Sequence, residues 1–201
     1  FFLFWNTIFT LIFKILIFFA FVGLIILNIL AKKEASLFVS SQYLFGASIF
    51  YLISLLIYRA DFVVFSDNFF INSMYVSTHI YVGYSFVFLS LLHFMITKGI
   101  NATLYSKTLG SIGFWGFLFL LPWSNFKFYF GSVLPNWIEN ISLYLSVSLS
   151  LPLLAIAVNF FRTVSTRVDE NKVIYSLVSF SFGIFVITSI FQIVSSLSNI
   201  I

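Results

Sequence analysis

The chain has 201 residues, 61% hydrophobic, 22% aromatic and 8% charged, with a mean hydropathy of +1.11 and a formal net charge of +4. That leaves too little polar surface to coat a water-soluble globule of this size, so composition excludes a soluble domain and selects an integral membrane protein. The absence of cysteine excludes disulfides, thiolate metal sites, cysteine nucleophiles and c-type haem attachment.

A membrane span needs about 20 apolar residues, and the polar breaks divide the chain into six such segments: 5–30, 37–58, 69–97, 108–124, 140–162 and 173–199. The expected architecture is an all-α, polytopic membrane helix bundle of about six transmembrane helices in a single domain, 1–201. The first segment is read as a true span. It lacks a charged amino-terminal region and a small-residue cleavage site, and its apolar run is too long for a signal peptide. It contains Lys14, whose stem can snorkel.

The second segment ends near Arg59, Asp61 and Asp67, a solvated turn. The third holds both histidines, His79 and His93, fourteen residues apart on nearly the same face, or roughly 21 Å along a helix. His79 is a candidate for an axial or metal ligand; for His93 a hydrogen bond to a backbone carbonyl is the expected fate. The chain has no further histidine, so a dihaem cytochrome of the bis-histidine type is excluded for this chain alone.

Trp115 and Trp123 bracket the fourth segment. Leu134-Pro135-Asn136-Trp137 then opens the fifth, with Asn136 and Glu139 as capping groups and Trp137 as an interfacial anchor. Pro152 is expected to kink that span and free the carbonyl of Ser148, which a hydroxyl such as that of Ser150 would help satisfy. In the sixth, Ser176, Ser179, Ser181 and Ser189 suit close helix contacts and interhelical hydrogen bonds, with ordinary bundle packing the leading reading.

Loop charge sets an orientation. Lys32, Lys33, Lys98, Lys107, Arg162, Arg167 and Lys172 fall in alternate loops, against Arg59 and Lys127 in the others, so both termini are expected on the outer side. Basic residues scattered through short loops give no basis for nucleic-acid binding. The 30 phenylalanines fit an AT-rich gene, and the expected location is a mitochondrial inner membrane or a bacterial cytoplasmic membrane.

One ordered run stands out: His79-x-x-Val82-Gly83, Leu104-Tyr105-Ser106-x-x-Leu109, Gly113-Phe114-Trp115, Trp123, Leu134-Pro135-Asn136-Trp137, Ser146, Pro152 and Asn159. It resembles the catalytic subunit of the cbb-type haem–copper oxidases and, more loosely, the related nitric oxide reductases, over residues 70–195. The resemblance implies the middle helices of a larger subunit, with His79 at a copper-ligand position. That family's His-His pair falls on Lys127 and Phe128, and a family glutamate falls on Gln192, so the copper site is expected to be vestigial. A copper centre of three imidazoles cannot be completed here.

The expected function is therefore a non-catalytic or degenerate core or accessory subunit of a respiratory-chain complex, of the cytochrome c oxidase type, acting in assembly and packing. No cofactor is expected on this chain alone; haem and copper belong to partner subunits, and the partners are those subunits and lipids. Two alternatives are a haem or metal site that His79 shares with a partner chain, and a small transporter or channel.

Overall fold

The computed structural model describes residues 12–13, 15–20, 22–23, 27, 35–60, 81–100, 102–126, 136–165 and 172–198. Every regular element among them is helical: α1 (Ala35–Ala60), α2 (Tyr84–Phe94), α3 (Lys107–Ser124), α4 (Asn136–Ser148), α5 (Ser150–Val164) and α6 (Lys172–Ser198). A π-helical turn at 81–83 leads into α2, and a second, Met95–Gly99, follows it.

Three helices are long and apolar enough to cross a membrane, Tyr81–Gly99, Trp137–Val164 and Val173–Ser196. They contain most of the described part of the expected third, fifth and sixth spans, and make an integral membrane protein the physical reading of the chain. The expected count of six is not reached among the described residues. The second span is helical as α1, with Val39–Leu55 as its apolar stretch among the described residues. The fourth is helical as α3, but Lys107, Ser111, Gly110, Gly113, Gly116 and Pro122 dilute its apolar character. Most of the first span, with Lys14, lies outside the described residues.

The chain divides into two compact units, one of residues 1–33 and 44–87, the other of 34–43 and 88–201. In the first, Phe50 packs against Phe86 with ring centroids 5.3 Å apart, and Ile17, Phe18, Ala47, Tyr51, Gly83 and Val87 help line an apolar cavity of about 190 Å³.

In the second unit, α3 packs on α4 and α5, and α6 closes against both. The core is aromatic: Phe182 stacks on Phe160 at 4.0 Å between centroids. Phe185 meets Phe88 and Phe117. Small residues set the closest approaches. A Cβ on Gly116 would lie 2.5 Å from the Cβ of Pro152, and one on Gly110 would lie 2.9 Å from Val39 Cγ1. Larger side chains at these positions would push α3 away from α5 and from the first turns of α1.

Pro152 interrupts its span. The α4–α5 span breaks at Leu149, three residues before Pro152, because the proline ring has no N–H for the carbonyl of Ser148 and crowds it. The hydroxyl bond in this turn is from Ser148 to Tyr144 O, at 3.0 Å. In α6, Ser189 donates to Phe185 O in its own helix, and Ser176 and Ser181 are exposed. The bridge between helices is instead Ser146 Oγ to Ser196 Oγ, at 2.8 Å. Ser196 also donates to Gln192 O at 2.8 Å, so Ser146 is the donor in the bridge and Ser196 serves its own helix and its neighbour together.

Candidate functional site

Five residues of the ordered run, Ser106, Gly113, Phe114, Pro152 and Asn159, lie where α3 packs on α5 and on the first turns of α1. Ser106 has an extended backbone (φ −147°, ψ 123°) and its hydroxyl accepts from Leu109 N at 3.3 Å, an N-cap that starts α3. Its own N–H donates to Asn159 Oδ1 at 3.0 Å. One residue earlier, Tyr105 N donates to Thr163 Oγ1, also at 3.0 Å. Thr163 in turn donates to Asn159 O at 2.6 Å. Two polar side chains one turn apart on α5 thus fasten the strap before α3, and both are buried.

Further along, Gly113 lets α3 approach Ile156 and the Tyr43 hydroxyl; a Cβ there would lie 2.8 Å from Tyr43 Oη. Phe114 is buried against Tyr43, edge to face at 5.5 Å. Trp115, Trp123 and Trp137 are all exposed, as lipid-facing or interfacial anchors should be. Pro152 is buried on Gly116. The landmarks therefore sort into helix starts, close approaches and surface rings.

His93 is buried, and its Nδ1 donates to Leu89 O at 2.7 Å, the backbone bond expected for it. Its ring stacks on Tyr43, 5.1 Å between centroids and 19° between planes. Beside this stack Ser40 and Ser90 exchange hydroxyl-to-carbonyl bonds, each 2.9 Å. The Tyr43–His93 stack and the role of Thr163 carry no local sequence signal, since their partners lie 50 or more residues away.

His79, the expected ligand position, lies outside the described residues, as do Lys127, Phe128, Leu134 and Pro135. The described residues of its motif, Val82 and Gly83, are buried, and Gly83 lines the apolar cavity. Glu139 sits in the first turn of α4 and is buried, with Ser142 donating to its backbone carbonyl at 2.6 Å. Gln192 accepts Ser196 Oγ at its backbone carbonyl. Among the described residues no three His, Cys, Asp or Glu side chains come together as a metal-ligand group. With His93 committed through Nδ1 to a backbone carbonyl inside an aromatic stack, the described donor set does not fit a copper centre of three imidazoles.

No family model matches the chain, and no solved structure matches it. Among curated proteins it is similar to a cytochrome c oxidase subunit 1 homolog of Agrobacterium tumefaciens (strain T37), at 27% identity over 85 residues. The matched stretch is 42% of this chain and 16% of that protein, so the chain spans only a small part of its relative's length. The similarity supports a distant relationship to the haem–copper oxidases and fits an oxidase-type membrane subunit.

Proposed function

We propose that this chain is a non-catalytic core or accessory subunit of a respiratory membrane complex of the cytochrome c oxidase type, acting in assembly and subunit packing. One observation carries the reading. Residues shared with the oxidase-like run, Ser106, Gly113, Pro152 and Asn159, hold helices together, and none of them offers a redox ligand. The 27% identity to the oxidase subunit homolog supports the same ancestry.

In this reading the chain forms one membrane domain of about six spans, with its lysine-rich loops inside and both termini outside, in a bacterial cytoplasmic or mitochondrial inner membrane. His79 is the vestige of a copper ligand. The chain holds no cofactor by itself, and haem and copper reside in partner subunits.

The test is purification of the intact complex from native membrane, with a pyridine-haemochrome spectrum and metal analysis of each separated subunit. We expect co-migration with oxidase subunits and no haem or copper on this chain. Metal or haem retained by it would sink the non-catalytic reading, and co-migration with no oxidase subunit would sink the complex assignment.

A further inference from the structure

We propose that Lys107 and Arg162, with Lys98 beside them in depth, form a binding surface for the phosphate of an anionic phospholipid headgroup. The inference rests on the membrane reading above and concerns the unit of residues 34–43 and 88–201 alone.

Depth comes first. Lys98 is the penultimate residue of the span Tyr81–Gly99, Arg162 stands two residues from the end of Trp137–Val164, and Lys107 opens α3. Ends of spans lie at headgroup level. Among the residues whose side chains are described, these are all the lysines and arginines, and the one described carboxylate, Glu139, lies at the opposite end of Arg162's span. Among the described side chains the two ends of the unit thus differ in charge, and the basic end complements an anionic surface.

The buried clamp ties the two segments that carry Lys107 and Arg162 to each other. Thr163 and Asn159 fasten the backbone of Tyr105 and Ser106 to α5. Arg162 precedes Thr163 and Lys107 follows Ser106, so each cation is the chain neighbour of a clamped residue. Arg162 Cζ lies 6.0 Å from the centroid of the Tyr105 ring, at the edge of cation–π range, and Tyr105, Lys107 and Arg162 are exposed.

An arginine fork matches phosphate oxygens, and the positive end of the α3 dipole adds to the field. Free phosphate shares that chemistry. The surface favours a lipid because Phe161, next to Arg162, is exposed and gives an acyl chain an apolar wall beside the cations.

The full chain would be inserted into nanodiscs of equal phosphatidylglycerol and phosphatidylcholine, and lipids retained on release into a native mass spectrometer would be counted. Wild type should retain phosphatidylglycerol preferentially. Lys107→Gln and Arg162→Gln should each weaken that retention by about fivefold, with circular dichroism showing unchanged helix, whereas Arg162→Lys should keep most of it. Equal retention of the two lipids by wild type, or an unchanged preference in the double variant, would overturn the proposal. Displacement of the lipid by inorganic phosphate alone would overturn the commitment to a lipid. Failure to enter the nanodisc would overturn the membrane reading and the lipid site with it, before any lipid preference is scored.

Discussion

Asn159 is fully buried on α5, where an apolar side chain would cost less to desolvate. Its Oδ1 holds Ser106 N, and its Nδ2 has no partner, so half the amide stabilises the strap and half is a liability. Asn159→Leu removes both, orphaning Ser106 N–H. We expect a net loss of about 1–2 kcal/mol, read as a lower unfolding midpoint in detergent; an unchanged midpoint would show that the clamp adds nothing. Asn159 was visible in the sequence as one member of a spaced set, but its partner lies 53 residues away, and no local pattern encodes that pairing. His93 was more legible, because a buried imidazole on a helix can reach the carbonyl four residues back, which is where Leu89 O lies. The reciprocal Ser40–Ser90 bonds make a second test. A double-mutant cycle with alanine should give a coupling of about 0.6 kcal/mol, the average for hydrogen bonds between membrane helices, and at most about 1.7 kcal/mol.

At the level of elements, glycines of the same type should respond in opposite ways. Gly116→Ala drives a methyl onto the rigid ring of Pro152, so α3 and α5 must separate, at a cost of about 1–3 kcal/mol. At Gly183 on α6 a Cβ meets nothing within 4 Å, so Gly183→Ala should be neutral or stabilising by up to about 1 kcal/mol. Thermal unfolding of the two variants side by side checks both signs. Helix positions for α3, α5 and α6 could be read from the spacing of polar breaks, and the break at Leu149 from Pro152 alone, because a missing N–H acts locally. The role of Gly116 could not, since its value depends on which ring of another helix faces it. The partners of the α6 serines are not legible for the related reason that whether a hydroxyl reaches a neighbouring helix depends on packing distance.

For the whole molecule, the lack of cysteine makes topology directly testable. Thr103 and Asn140 are exposed near opposite ends of the unit that contains α3 and α4. In sealed vesicles, Thr103→Cys should react with an impermeant maleimide from the inner side and Asn140→Cys from the outer side; labelling of both from one side would refute the proposed orientation. His79→Ala should leave the oxidase activity of the assembly and its haem–copper spectrum nearly unchanged, and an abolished spectrum would show that His79 serves a site shared with a partner. The break at Leu149 has a different consequence. The span Trp137–Val164 has 28 residues, about 42 Å of straight helix, against a hydrocarbon core of about 30 Å. A rod of that length must tilt steeply or push its ends into the headgroups. The carbonyl of Ser148, left without an N–H by Pro152, is the weak point at which this span can bend. Bending there would shorten its reach across the bilayer, while the bonds of Leu149 N to Leu145 O and Leu153 N to Leu149 O keep it one helix.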